Sequence, residues 1–119
     1  MRAEGLWHPR LLHLLARAGH GDLVVVADPG LPVPPGVESV DLVWRRDEPR
    51  FLPVLESIRE ELVVEHAFVA KEAPRDFLPG AERIPHEELK HLTERALVIV
   101  RTGEATPYAN VVLRAGVPF

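Results

Sequence analysis

Six side chains are considered first among those that could transfer protons or exchange hydrogen bonds with a ligand. They are His20, Asp28, His86, Lys90, Tyr108 and Asn110. An imidazole changes its protonation state near neutral pH, so a histidine can act as both general acid and general base. A carboxylate accepts hydrogen bonds, an ammonium group donates them, and phenol and carboxamide groups do both. Side chains of these types permit acid–base chemistry on a small polar ligand.

Spacing alone leaves a structural role open for the first two of these residues. His20 follows Gly19 beyond a predicted helix and could act only as a polar capping residue, which we favour on spacing alone. Asp28 precedes Pro29 and Gly30, where an aspartate commonly bonds its own turn. Asp28 also ends a buried strand, however, and α/β sheets bind ligands at that edge.

The other four residues are equally ambiguous without further information. His86 and Lys90 are four residues apart on a predicted helix, so they share one face, which could equally be solvated. Lys90 could instead pair with a neighbouring glutamate. Tyr108 and Asn110 lie where a turn between two strands is the simpler interpretation.

The histidine and cysteine content argues against a metal site. The sequence has no cysteine, which excludes disulfides, thiolate zinc sites and a cysteine nucleophile. His86 and His91 are five residues apart, as are His8 and His13, whereas metal-binding pairs on a helix are usually four apart. We therefore predict no metal ion.

Apolar periodicity predicts alternating helices and strands. Helices are predicted over residues 9–18, 51–62 and 86–93, and strands over 23–27, 39–44, 63–70, 96–100 and 110–113. Such alternation is typical of an α/β fold. We expect a single layered domain over residues 1–119, with a mixed, partly parallel sheet flanked by helices.

Composition excludes several classes of partner. The net charge is −4 and no Lys/Arg-rich run is present, which argues against nucleic acid. No apolar run approaches the roughly 20 residues that cross a bilayer, so we expect no membrane segment. The first residues lack the apolar stretch of a secretory signal, and we therefore expect a cytoplasmic protein.

Three blocks of the sequence, in order, resemble the ribose pyranase and fucose mutarotase family. They read GHGDLVVVADPGLPVP at residues 19–34, HEELK at 86–90 and RTGEATPYANVVLRAGV at 101–117. The turn that starts at Asp28 and the ending on Phe119 look more like the ribose pyranase branch. The segment between Glu72 and Glu82 looks shorter than in typical ribose pyranases.

The resemblance implies a cofactor-free sugar isomerase. A base takes the proton of the anomeric hydroxyl, an acid protonates the ring oxygen, and re-closure through another hydroxyl gives the other ring form. The family implies that His20 is the acid–base group, and that Asp28, His86, Lys90, Tyr108 and Asn110 bind a free monosaccharide, most simply ribose. It also implies a closed homo-oligomeric ring such as a decamer.

The positions of His20 and Asp28 raise a geometric question, because the two residues flank one predicted strand with a rise of about 3.3 Å per residue. Either the chain bends back at residues 19–22, or neighbouring subunits combine to form the site. The alternative functions are a fucose-type mutarotase of another monosaccharide, a non-catalytic sugar-binding subunit, and a purely structural oligomeric module.

Overall fold

A computed structural model describes every residue of the chain, from Met1 to Phe119. The helices are α1 (Pro9–Arg17), α2 (Phe51–Glu61) and α3 (His86–Thr93). The strands are β1 (Leu23–Ala27), β2 (Ser39–Asp41), β3 (Val64–Ala70), β4 (Glu82–Ile84), β5 (Ala96–Arg101) and β6 (Val111–Ala115). None of the helices is long and apolar enough to cross a bilayer.

All six strands form one mixed sheet in the order β2-β5-β1-β6-β3-β4. Strand β5 is parallel to both β1 and β2, and β4 is parallel to β3. Strand β6 is antiparallel to both of its neighbours, β1 and β3. The predicted α/β class with a mixed, partly parallel sheet is confirmed.

The core lies on both faces of this sheet. Strand β1 is buried along its whole length, as its uninterrupted apolar sequence predicts. Val24 and Val26 face the layer that contains α1 and α2, whereas Val25 and Ala27 face the layer that contains α3. The sheet therefore has helices on both sides, and its strand ends are left to carry polar side chains.

Helix α1 shows how local sequence produces these elements. Pro9 occupies the first turn, where its missing N–H is not needed. Nδ1 of His8 caps the helix by accepting the N–H of Leu11 at 3.1 Å. Leu11, Leu14 and Leu15 then form the buried face.

Several element boundaries differ from the prediction, and one strand was not predicted. Strand β2 ends at Asp41 rather than residue 44, because Trp44 and Arg45 both donate backbone hydrogen bonds to the carbonyl of Glu48 in a tight turn. Strand β6 begins at Val111 rather than at Asn110. Strand β4 was not predicted at all, since its three residues are too few for periodicity and it forms by pairing with β3.

Candidate functional site

Asp28 and Asn110 lie together at one edge of the sheet. Asp28 follows β1 and Asn110 precedes the antiparallel β6, so the fold brings them to the same end. The Asp28 N–H donates to Oδ1 of Asn110 at 2.9 Å, and Nδ2 of Asn110 donates to Oδ2 of Asp28 at 3.2 Å. Asn110 is 1% exposed, whereas Asp28 is half-buried. The buried carboxamide therefore fixes a carboxylate that a ligand can still reach.

The turn role that spacing suggested for Asp28 is present as well. Its Oδ1 accepts the N–H of Gly30 at 2.8 Å. This bond uses one oxygen and keeps the side chain in place. A structural and a ligand-binding role for Asp28 are thus compatible.

His86 and Tyr108 form a second pair beside the first. Their rings meet nearly at right angles, with centroids 5.1 Å apart. The Nδ1 atom of His86 is buried and has no hydrogen-bond partner in the chain. Because burying an unpaired polar atom costs free energy, this nitrogen is a candidate for a ligand contact. The N–H of Asn110 donates to the carbonyl of Tyr108 at 2.8 Å, which links the two pairs.

The segment between Glu72 and Glu82 positions His86. Both carboxylate oxygens of Glu72 accept the His86 N–H, at 3.1 and 3.3 Å, where α3 begins. The Arg83 guanidinium in turn donates to the carbonyls of Ala73 and Pro74 at 2.7 and 3.2 Å. This short connection is therefore held firmly against the sheet and fixes the start of α3.

Buried Glu104 fastens the loop that leads to Tyr108 and Asn110. Its carboxylate accepts hydrogen bonds from the Arg50 guanidinium, from the N–H of Phe51 at the start of α2, and from the Thr106 hydroxyl. The hydrogen bond from Arg50, with smaller contributions from the other two donors, lowers the pKa of Glu104 from 4.5 to about 2. Glu104 is therefore ionised across the physiological range and ties the loop to α2.

Gly103 allows this loop to lie against the preceding turn. A Cβ atom at this position would lie 2.6 Å from the carbonyl oxygens of both Arg45 and Glu48. Backbone atoms cannot move aside as a flexible side chain could. Glycine is therefore required here for space rather than for an unusual φ angle.

His20 lies at the opposite end of β1. Hydrogen bonds from Gly21 to Ala115 and from Ala115 to Asp22 extend the pairing of β1 with β6 toward His20. Residues 19–22 form a turn, but these bonds hold it beside Ala115, so the turn does not bring His20 back toward Asp28 and the first geometric alternative is excluded. The five residues of β1 alone span about 13 Å at 3.3 Å per residue. Within one chain, His20 and Asp28 cannot contact the same small ligand.

The turn that carries His20 is itself well defined. The Asp22 N–H donates to the Gly19 carbonyl at 3.0 Å, and the Asp22 carboxylate accepts the Gly19 N–H at 2.8 Å. Gly21 has a φ of 89°, which suits glycine at the third position of such a turn. The His20 side chain is 62% exposed, and its Nε2 lies 2.9 Å from Oε2 of Glu65.

The Lys90 side chain makes no hydrogen bond to the other expected site residues. Its Nζ lies 2.9 Å from Oε1 of Glu87, and the hydrogen bond from Lys90 lowers the pKa of Glu87. The pairing with a glutamate that spacing left open is therefore present. Its predicted role in sugar binding stays a prediction.

Sequence reasoning did not single out three carboxylates that organise these groups, namely Glu65, Glu72 and Glu104. Glu104 lies within the third block of the resemblance, which is the one sequence signal that could have drawn attention to it. Glu65 and Glu72 have no local signal, because their partners are 45 and 14 residues away. No group of three histidine or acidic side chains is arranged to hold a metal ion.

Comparison with known proteins gives consistent matches along the chain. The model of the RbsD / FucU transport protein family matches residues 1–118. D-ribose pyranase 1 of Rubrobacter xylanophilus is 49% identical, and the alignment covers 100% of both chains. That alignment runs over 129 positions, so the relative has residues that this chain of 119 lacks.

Solved structures share the fold. Bacillus subtilis RbsD, solved in complex with D-ribose, superposes with a TM-score of 0.91 at 38% identity, and 100% of each chain is covered. The fucose mutarotase of Streptococcus pneumoniae, solved with L-fucose, has a TM-score of 0.75 at 24% identity over 94% of each chain. At that lower identity, the second likeness concerns the fold alone.

Proposed function

The chain belongs to the RbsD / FucU transport protein family, and we propose that it is a D-ribose pyranase, an isomerase that interconverts the pyranose and furanose forms of free ribose. The observation that carries the proposal is the likeness to Bacillus subtilis RbsD with D-ribose, over the full length of both chains. The polar groups at the edge of the sheet add chemical support.

The reaction needs only proton transfers. A base removes the proton of the anomeric hydroxyl while the bond between the anomeric carbon and the ring oxygen breaks, and the ring oxygen takes up a proton. The open aldehyde then re-closes when a different hydroxyl attacks the carbonyl carbon. One imidazole can perform these transfers in turn, because it accepts and releases protons near neutral pH. In our proposal His20 has this role, and the reaction uses no cofactor.

In our proposal the sugar-binding groups lie at the end of β1 opposite His20. The Asp28 carboxylate accepts hydrogen bonds from hydroxyls, and the Asn110 carboxamide supports it. Nδ1 of His86, the Tyr108 phenol and the Lys90 ammonium group are the further contacts of the proposal. Ribose presents several hydroxyls that both donate and accept. Such a mixed set of partners suits it better than an apolar or a strongly charged ligand.

We further propose that two copies of the chain build each site. His20 and Asp28 lie at opposite ends of β1, so the His20 end of one copy must meet the Asp28 end of another. A contact between different ends of identical chains forms a ring when the rotation that repeats it closes, which is the form that our proposal adopts. The proposed assembly is therefore a closed homo-oligomer, with a decamer as the form expected from the family. The cytoplasmic location stays a prediction.

Saturation-transfer NMR of free ribose tests the proposed activity. We expect the protein to accelerate exchange between ribopyranose and ribofuranose in buffer treated with a chelator. Loss of exchange on chelation, with recovery when a metal ion is added, would contradict the cofactor-free reaction. Faster exchange of fucose than of ribose would assign the chain to a fucose-type mutarotase, and ribose binding without exchange would identify a sugar-binding subunit.

A further inference from the structure

The carboxylate of Glu65 lies between the His20 imidazole and the Arg114 guanidinium. Its Oε2 is 2.9 Å from Nε2 of His20, and its Oε1 accepts a hydrogen bond from Nε of Arg114 at 2.9 Å. Each oxygen thus has its own partner, so the carboxylate cannot rotate without losing one of them. Glu65 is the only side chain that hydrogen-bonds His20.

An irregularity in strand β3 directs the Glu65 side chain. Val64 pairs with Ala115, and the next paired residue, His66, lies opposite Arg114. Glu65 is therefore an extra residue in the strand, as in a β-bulge. Bulges bend a strand locally and re-aim its side chains, and they are frequent next to functional sites.

The end of β6 leaves space for Glu65 and also fixes the turn that carries His20. A Cβ atom on Gly116 would lie 3.1 Å from Cβ of Glu65, so a larger residue would displace this side chain. The Gly116 N–H donates to the carbonyl of Val63, and the carbonyl of Ala115 accepts the N–H of Gly21. The turn is thus bonded to Ala115 at the end of β6, and the residue that precedes β3 is bonded to Gly116, the next residue along the chain.

We propose that Glu65 is the positioning residue for His20, holding the ring so that Nε2–H points to the carboxylate and Nδ1 faces the sugar. This inference rests on the proposed function, in which His20 transfers the protons. An ionised carboxylate can only accept a hydrogen bond, so Nε2 must be the donor and Nδ1 of the neutral ring carries the free lone pair. The hydrogen bond from His20, with another from Arg114, lowers the pKa of Glu65, which keeps it ionised at neutral pH.

The chain contains a matched control for this pair. Nε2 of His66 lies 3.0 Å from Oε1 of Glu82 in a second exposed histidine–glutamate pair. Glu82→Gln therefore removes the same kind of contact without touching His20. Arg114→Met offers an independent variant, because it removes the donor to Oε1 of Glu65 but keeps the Glu65 charge.

The test measures the maximal exchange rate and the half-saturating ribose concentration of the intact oligomer. We expect Glu65→Gln to lower the maximal rate about tenfold to hundredfold with the half-saturating concentration unchanged, since a misplaced catalytic group costs up to about that factor. Arg114→Met should lower it by a smaller factor, and Glu82→Gln should change neither quantity. In the His20→Ala background, Glu65→Gln should have no further effect.

The ¹⁵N spectrum of the His20 ring should show Nε2 protonated and Nδ1 unprotonated once the ring is neutral.

Several outcomes would overturn the inference. One is a maximal exchange rate within about twofold of the wild type in folded Glu65→Gln. Another is that Glu65→Gln lowers the rate by the same factor in the wild-type and His20→Ala backgrounds. A third is a proton on Nδ1 of the neutral His20 ring. Failure of the proposed function has a different signature, namely a wild-type protein that does not exchange ribose or a His20→Ala variant that does. The ring spectrum needs no activity, so it tests the assignment of the two nitrogens in either case.

Discussion

Replacement of His20 with alanine is expected to lower ribose ring exchange by about 10²- to 10⁴-fold, the usual contribution of a general acid–base group. The fold and the assembly should persist. The side chain is largely exposed and follows the end of α1, so it contributes little packing. Its single hydrogen bond, to Glu65, joins two groups near the surface.

Saturation-transfer NMR measures this loss, with circular dichroism and light scattering as checks on fold and assembly. His91→Ala is the control, because His91 is exposed on α3 and pairs only with Glu94 at 3.6 Å. It should retain wild-type exchange. If folded His20→Ala exchanges ribose at nearly the wild-type rate, the acid–base assignment is wrong and His86 becomes the next candidate.

The second large effect concerns stability. Glu104→Gln is expected to lower the free energy of unfolding at pH 7 by about 1–3 kcal/mol, since hydrogen bonds to a charged group contribute in that range. The Glu104 carboxylate is 8% exposed, whereas its partner Arg50 is 60% exposed, so solvent screens part of the attraction. The value that follows from a pKa of about 2 instead of 4.5, about 3 kcal/mol, is therefore an upper bound.

The same carboxylate predicts a pH dependence. Because its folded pKa is lowered, its contribution is complete above about pH 4.5 and is lost as the pH falls toward 2. The difference in stability between wild type and Glu104→Gln should therefore shrink between pH 5 and pH 2. Urea denaturation over that range, at one fixed protein concentration, measures it.

Asp41→Asn is the matched control for this prediction. The pKa of Asp41 is also lowered to about 2, mainly by the hydrogen bond from Arg101. Its side chain is 46% exposed, however, so screening should reduce its effect to less than about 1 kcal/mol. Equal losses in the two variants, or a constant difference between wild type and Glu104→Gln across the pH range, would contradict the account of Glu104.

Local sequence patterns predicted the elements whose own residues show a clear apolar periodicity. The leucines of α1 and the buried run of β1 have clear periodicity, and Pro9 marks where α1 begins. Strand β4 was missed because it exists only by pairing with β3, which a window of three residues cannot reveal. The class of fold can thus be predicted from local sequence patterns, whereas the edge strand β4 depends on pairing with a distant part of the chain.

In the candidate site, too, local patterns indicated single residues but not the contacts between them. Asp28 and Asn110 were each singled out from the sequence, yet the hydrogen bonds that join them connect residues 82 positions apart. The position of the Glu65 side chain depends on a bulge in β3 and on His20, which is 45 residues away, and the sequence around Glu65 predicts neither. Side-chain type and turn position therefore indicate candidates, while long-range geometry decides which of them act together.

The central claim is that the His20 end of one copy and the Asp28 end of another act on the same ribose molecule. Co-expressing His20→Ala with Asp28→Asn tests it most directly, at ribose concentrations far below saturation, where loss of the carboxylate should weaken binding strongly. Random mixing pairs an intact His20 with an intact Asp28 in about one quarter of the sites of a shared-site oligomer. We predict recovery of exchange to about that fraction of the wild-type rate. Mixed oligomers, verified by native mass spectrometry, that exchange ribose no faster than the two separate variants would contradict the claim.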